Sequence, residues 1–285
     1  MGNGTHIISG RAKTAGVMGW PIGHSKSPAL HNFWLRQHHI DGAYVPMAVK
    51  PENLAQALRA LAGQGFAGVN LTVPHKEAAM AIVDEMTDVA KTIGAINTIF
   101  VLPDGRLRGT NTDAFGLIEN LKQGFTGFNA AAGPAVVLGA GGAARAVCVA
   151  LINAGCREVR VINRTFARGE ALAKSLGAKI KARPWQNLAA AMKDAALFVN
   201  ATSLGMTGQP PLDIDLSSLP KTAVVTDLVY APLDTALLIA GRERGNPTID
   251  GLGMLLYQAQ AGFEGWFGVK PAVTPELRQH LLSLG

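Results

Sequence analysis

One stretch limits the fold more than any other: Ala135-Val136-Val137-Leu138-Gly139-Ala140-Gly141-Gly142-Ala143-Ala144-Arg145. Four apolar residues of buried-strand type lead straight into Gly139, Gly141 and Ala144, which match G-x-G-x-x-A, and a helical pattern follows over 142–154. Strand, glycine turn and helix in that order begin a βαβ unit. Gly139 permits the tight turn, Gly141 lets backbone approach a pyrophosphate, and Ala144 lets helix pack on strand. The helix start then turns unpaired N–H groups toward the phosphates. A glycine turn that binds nothing could share the pattern; the buried strand before it and the helix after it favour a dinucleotide.

The same alternation runs along nearly the whole chain. Strand-like segments fall at 43–49, 68–73, 158–162, 197–201 and 223–229, and helical ones at 28–37, 51–61, 76–85, 165–176, 233–244, 253–267 and 275–284. A hairpin signal, Pro103-Asp104-Gly105, separates strand-like 95–101 from 106–110. A connector over 116–133 divides two α/β units of similar size. The chain has 285 residues, roughly two domains' worth, and its 48% hydrophobic content can fill two cores. The fold expected is therefore two-domain α/β. An N-terminal α/β domain over 1–113 precedes a Rossmann-type domain with a parallel sheet over 114–250, and a ligand cleft lies between them.

After the strand at 158–162, a site selective for NAD would carry an acid for the ribose 2′-hydroxyl. Here stand Asn163-Arg164-Thr165, with Arg168 about one turn further on. Two guanidiniums and a hydroxyl suit a 2′-phosphate, so NADP(H) is the expected cofactor; the two arginines read otherwise as solvated surface residues.

The first half holds a second polar cluster. In Gly19-Trp20-Pro21-Ile22-Gly23-His24-Ser25-Lys26-Ser27-Pro28, Ser27 reads as a helix N-cap, and Ser25 points to the same side if the loop is extended. Two hydroxyls there could hold a carboxylate. Asn70-Leu71-Thr72-Val73-Pro74-His75-Lys76 runs from strand into helix and sets Lys76 in a first helical turn. The helix dipole would favour the neutral amine there and suit it to proton transfer, the alternative being a solvated lysine. Asp113, in Gly109-Thr110-Asn111-Thr112-Asp113, reads most simply as an N-cap, and Asn97 as a buried strand residue.

Composition removes other classes. The net charge of +6 suits an anionic small molecule, and no basic run or zinc-finger spacing points to nucleic acid. The histidines show no ligand spacing, so no metal is expected. Cys148 and Cys156 fall in one expected helix about 12 Å apart, too far to bridge. Positions 1–13 carry no signal-peptide pattern, and the most apolar stretch, 135–154, is broken by Arg145, so a cytoplasmic protein without a membrane span is expected. No stripe stands out as an interface, which leaves a homodimer open.

Together these segments resemble the shikimate dehydrogenase family. The Gly19–Pro28 loop is similar to the family's substrate-carboxylate loop, and Asn70–Lys76 to its catalytic-lysine segment. Gly94–Thr98 and Gly109–Asp113 are similar to the segments that supply its binding Asn and catalytic Asp. Gly139–Ala143, Asn163–Arg168, Asn200–Met206, Asp227–Tyr230 and Asp250–Ala259 follow in the family's order, so the resemblance spans about 14 to 260. It implies reversible reduction of 3-dehydroshikimate to shikimate with NADPH, a step of aromatic amino-acid biosynthesis. By position, Ser25 and Ser27 would hold the substrate carboxylate. Thr72, Asn97, Tyr230 and Gln258 would bind the carboxylate or ring hydroxyls, and Lys76 with Asp113 would form the catalytic pair. Gly139, Ala140, Gly141, Gly142, Ala143, Asn163, Arg164, Thr165 and Arg168 would hold the cofactor, with Thr202, Leu228 and Gly251 at its nicotinamide end and Asp88 a weaker candidate. The resemblance also implies that the C-terminal helices over 251–285 complete the first domain. Trp20 and His75 depart from the Asn and aromatic residue more usual there. The nearest rival is a quinate/shikimate dehydrogenase using NAD; the missing acid at 163–164 speaks against it. A folate-type methylene dehydrogenase should lack the Ser25/Ser27 loop, and a sensing module should have lost Lys76 or Asp113.

Overall fold

The computed structural model describes residues 8–284; positions 1–7, part of the stretch read for a signal peptide, lie outside them, as does 285. Two compact units are present, Met1–Thr112 with Gln258–Gly285, and Asp113–Tyr257.

The first unit carries β1 (Lys13–Gly19), α1 (Ser27–Gln37), β2 (Gly42–Ala48), α2 (Leu54–Ala60), β3 (Phe66–Leu71), β4 (Glu85–Met86), α3 (Asp88–Ile93), β5 (Thr98–Val101) and β6 (Leu107–Thr110). Its sheet has the order β2-β1-β3-β5-β6-β4. β1 runs parallel to β2 and β3, whereas β5 pairs antiparallel with both β3 and β6 through the expected hairpin at Pro103-Asp104-Gly105. Apolar side chains of the strands and their flanking turns, among them Met18, Val69, Leu71, Ile96, Ile99 and Leu107, fill one core. On α1, Leu30, His31, Trp34 and Leu35 form the buried stripe that a 3.6-residue period requires.

The second unit carries α4 (Asp113–Gly124), β7 (Ala135–Leu138), α5 (Gly142–Asn153), β8 (Val159–Ile162), α6 (Phe166–Leu176), β9 (Ile180–Arg183), α7 (Leu188–Met192), β10 (Leu197–Asn200), β11 (Val224–Asp227), α8 (Ala236–Glu243) and β12 (Thr248–Ile249). The order β12-β11-β10-β7-β8-β9 is parallel throughout. β7, β10 and β11 are buried along their whole length, which is why they read as unbroken apolar runs rather than alternating ones. β7 sits where the order reverses, so the loop after it opens at the topological switch point. The chain ends with α9 (Leu252–Phe267) and α10 (Pro275–Leu282). Lys26 Nζ donates to the Leu281 carbonyl (3.0 Å) and Trp34 Nε1 to the Ala272 carbonyl (3.0 Å), so the C-terminal segment belongs to the first unit.

Three local expectations need correction. The segment 76–85 is not an α-helix; it holds a short 3₁₀ turn, Ala78–Ala81. Asp84 pulls the chain out of helical geometry: its N–H donates to the Leu107 carbonyl (3.0 Å), its carboxylate accepts from Leu107 N–H (2.7 Å), and Arg59 grips it (2.7 Å). Those tertiary bonds create β4 beside β6, which periodicity alone did not show. Ser27 is the first residue of α1 rather than its cap; Lys26 stands at the cap position and makes no side-chain capping bond. Cys156 lies beyond the end of α5, past Gly155, and both thiols are buried and free.

Candidate active site

Gly139 takes φ +108°, in the region that favours glycine, and a Cβ there would lie 3.0 Å from the Ala201 carbonyl oxygen. Its N–H donates to the Ile162 carbonyl (2.8 Å), tying the turn to the end of β8. Gly141 is the N-cap of α5, and Gly142 and Ala143 are its first residues, so the helix opens on Gly141 with no side chain over its N–H groups. Ala144 is fully buried, as helix packing on strand demands. Ala140 completes the turn, partly buried.

After β8, Asn163 Nδ2 donates to the Thr165 carbonyl (2.8 Å), and Arg168 N–H to the same oxygen (3.0 Å), which shapes the turn into α6. Arg164, Thr165 and Arg168 are exposed. Arg160, on the strand itself, pairs with Glu158 (2.6 Å) and with Asp194, whereas none of the described ion pairs engages Arg164 or Arg168. Two guanidiniums without an acidic partner, at the end of the strand next to the glycine turn, fit a 2′-phosphate. The glycine turn, the open helix start and this pair have the chemistry that NADP(H) calls for.

A buried network shapes the loops after β10 and β11. Asp227 is wholly buried and accepts from Asn200 Nδ2 (2.8 Å), Val229 N–H (2.9 Å) and Thr235 Oγ1 (2.8 Å). Burial pushes its carboxyl above the ordinary Asp value, against the pull of those three donors. Asn200 Oδ1 in turn accepts from the Thr202 N–H (3.0 Å) and hydroxyl (2.7 Å), and the Asn200 carbonyl accepts from Leu228 N–H (2.9 Å). Gly251 packs against this loop; a Cβ there would come within 2.4 Å of the Leu228 carbonyl oxygen. Thr202, Leu228 and Gly251 are thus brought together. Tyr230 follows on the same loop, half-buried. Sequence reasoning assigned no role to Asn200, Asp227 or Thr235; the signal available was a polar residue closing an otherwise apolar strand.

In the first unit, the Ser25 and Thr72 loops leave the C-terminal ends of neighbouring parallel strands. Thr72 N–H donates to the Met18 carbonyl (3.0 Å) and Trp20 N–H to the Val73 carbonyl (3.1 Å). Ser27 N–H donates to Ser25 Oγ (3.3 Å), which sets the two hydroxyl-bearing residues in one turn. Lys76 is held by its neighbours. Its carbonyl accepts from Ile96 N–H (2.8 Å), and the preceding His75, 1% exposed, anchors through Nε2 to the Val49 carbonyl (2.8 Å). The departure at His75 is therefore a structural anchor. With the helix over 76–85 absent, Lys76 stands in a turn and the dipole argument for it lapses. Trp20 is exposed beneath the Lys50 ammonium, 5.6 Å from its ring.

Next to Ile96, Asn97 Nδ2 donates to Thr112 Oγ1 (3.0 Å) and Gln258 Oε1 (3.2 Å), all three residues being buried. Residues distant in sequence therefore meet at one point of this unit. Asp113 is the first residue of α4, buried, and belongs to the other unit. Asp88 lies exposed in the first turn of α3 and pairs with Lys91 (3.4 Å); it is in the first unit, whereas the other cofactor candidates are in the second. Among the described residues, no group of three or more His, Cys, Asp or Glu could hold a metal, and no helix is long and apolar enough to cross a membrane.

An all-parallel sheet with a glycine turn at its switch point, joined in one chain to a unit that gathers hydroxyls, amides and a lysine at strand ends, defines a two-domain dinucleotide-dependent oxidoreductase. The comparisons agree. Residues 17–99 match the family model for the shikimate dehydrogenase substrate binding domain, and 121–206 the model for shikimate / quinate 5-dehydrogenase. The chain is 56% identical over 281 residues to a shikimate dehydrogenase (NADP(+)) of Rhodospirillum rubrum, covering 97% of this chain and 99% of that one. A namesake from Paramagnetospirillum magneticum is 54% identical, with 97% and 100% covered. The crystal structure of shikimate 5-dehydrogenase from Thermus thermophilus, in complex with NADP(H) and shikimate, superposes with a TM-score of 0.85 at 39% identity, covering 95% of this chain and 99% of that one. The chain belongs to the shikimate dehydrogenase family.

Proposed function

We propose that this protein is an NADP-dependent oxidoreductase that reversibly reduces 3-dehydroshikimate to shikimate, as its relatives' names indicate for them. The observation that carries the chemistry is the fixed backbone of Lys76, bonded to Ile96 and flanked by the anchored His75, beside the Asn97–Thr112–Gln258 cluster. Gly139 to Ala143 and the start of α5 hold the cofactor's pyrophosphate, Asn163 to Arg168 its 2′-phosphate, and Thr202, Leu228 and Gly251 its nicotinamide end. When bound, NADPH supplies the hydride for the C3 carbonyl carbon. The oxygen left negative needs a proton and a positive neighbour, and Lys76 Nζ provides both; in the oxidative direction it takes the proton back. Asp113 is the carboxylate partner in this acid–base pair and a ligand of a ring hydroxyl. Ser25 and Ser27 bind the substrate carboxylate, while Thr72, Asn97, Gln258 and Tyr230 orient the ring.

Asn163 and Arg164 stand where an NAD-selective site would carry an acid, which disfavours the quinate reading with NAD. The assignment to the cytoplasm rests on two free, buried thiols and a reduced cofactor. The test mixes protein, NADP and shikimate and follows reduced nicotinamide absorbance, with quinate and NAD as controls. Fast turnover on shikimate with NADP is expected; faster turnover on quinate with NAD overturns the assignment.

A further inference from the structure

Arg164 and Arg168 stand beside a third arginine, which comes from outside the segment that follows β8. β9 is the edge strand of the second unit's sheet and runs parallel to β8, with Arg183 in register with Ile162. Arg183 therefore closes its strand level with the last residue before Asn163 and Arg164. The glycine turn is tied to that same residue, through the Gly139 N–H bond to the Ile162 carbonyl (2.8 Å). The helix that carries Arg168 packs on this spot too. A Cβ built on Gly169 would lie 3.7 Å from Ala182 Cβ, 3.8 Å from Val161 Cγ1 and 3.9 Å from Asn163 Cβ. Gly169, Ala182 and Asn163 are the chain neighbours of Arg168, Arg183 and Arg164, so the three arginine Cα atoms lie within about 9 Å of one point. Alternation along β9 turns Arg183 to the face opposite Ala182, so α6 with Arg168 and the side chain of Arg183 flank the end of the β8–β9 pair from two sides.

All three arginines are exposed, and none of the described ion pairs engages them. Arg160, further back on β8, already holds Glu158 and Asp194, so neither acid serves the cluster. Like charges gathered without an acid repel one another, and an anion between them turns that cost into attraction. We propose that Arg183 is a third cation of the 2′-phosphate site and a specificity-determining residue for NADP(H) over NAD(H). The inference deepens the functional reading and rests on its placing of the 2′-phosphate at Asn163 to Arg168. A phosphate monoester carries about two negative charges and three acceptor oxygens. Arg164 and Arg168 both follow β8, whereas Arg183 reaches the crest from a separate strand and so holds the anion from a second direction. A cation that only guarded the edge strand against pairing would show no preference between the two cofactors.

Equilibrium titration of the full chain with adenosine 2′,5′-bisphosphate and with 5′-AMP reads the site without turnover, and NADP and NAD extend it to the whole cofactor. Arg183→Gln should raise Kd for the bisphosphate and for NADP about fivefold, with 5′-AMP and NAD within about twofold of wild type. Lys181→Gln removes the same charge from the same face of β9, two residues (about 7 Å) further from the strand end, and should leave all four ligands near wild type. Both positions are exposed, so the urea midpoints of the two variants should match wild type. An unchanged Kd for NADP in Arg183→Gln, equal weakening of NADP and NAD, or the same loss in Lys181→Gln would each overturn the proposal. The functional reading fails in a different way: wild-type protein that binds the bisphosphate no tighter than 5′-AMP has no 2′-phosphate site, and Arg183 goes with it. A response in Arg164→Ala with none in Arg183→Gln removes Arg183 alone.

Discussion

The two units offer candidate ligand groups of different kinds. In Asp113–Tyr257 the cofactor candidates are chiefly backbone: a glycine at φ +108°, an open helix start and a loop that Gly251 allows to pack closely. All depend on stretches a few residues long, because a turn is a local object. In the other unit the candidates are side chains from four distant segments, and Asn97 meets Thr112 and Gln258 because the strands and α9 bring them to one place. Backbone recognition tolerates change in side chains but not in glycines. Side-chain recognition tolerates backbone variation but not the loss of a hydroxyl or amide.

Substitutions can break that contrast, and the largest effect should come from the side-chain unit. Lys76→Ala should lower kcat by at least about a hundredfold while leaving the dissociation constant for NADPH near wild type, read by single-turnover kinetics and cofactor fluorescence titration. Unchanged turnover would remove Lys76 from the chemistry.

The next effect is on stability. Burial lowers the His31 pKa to about 3, opposed weakly by Asn70, whereas the unfolded chain titrates near 6.5. The folded state therefore refuses a proton that the unfolded state accepts. Stability should fall from pH 6.5 toward pH 3 and be indifferent to this group above 6.5. Between pH 6.5 and 5 the loss from His31 is about 2 kcal/mol. Urea titrations should show that acid slope reduced in His31→Phe; parallel slopes in the two proteins would mean His31 is charged in the fold.

In the backbone unit, Gly139→Ala sets a side chain into a conformation that disfavours it by about 1–2 kcal/mol, so KM for NADP should rise about tenfold with KM for shikimate unmoved. The smallest change separates the cofactors: Arg164→Ala should raise KM for NADPH several-fold and leave NADH untouched. Equal weakening of both would take the 2′-phosphate away from Arg164.

The same contrast explains what could be read in advance. The strand, turn and helix at 135–154, the strand–helix alternation that implies a parallel sheet and the hairpin at Asp104 were all visible because each is set by neighbours in sequence. The helix expected over 76–85 was not formed, since Asp84 finds partners in Arg59 and Leu107, which periodicity does not see. Asn200 and Asp227 open segments that follow the family's order, but no individual role for them or for Thr235 could be read from that; burial turns the three polar residues into one network.

From the order of residues alone came the alternation of strand and helix, the glycine turn, the arginines after β8 and the family likeness, all short-range or cumulative properties of a linear string. Tertiary structure decided which amide faces which hydroxyl, which lysine is pinned and which acid is shut from water. Those outcomes depend on sheet register and on desolvation, and both arise only when segments far apart in the chain are packed against one another.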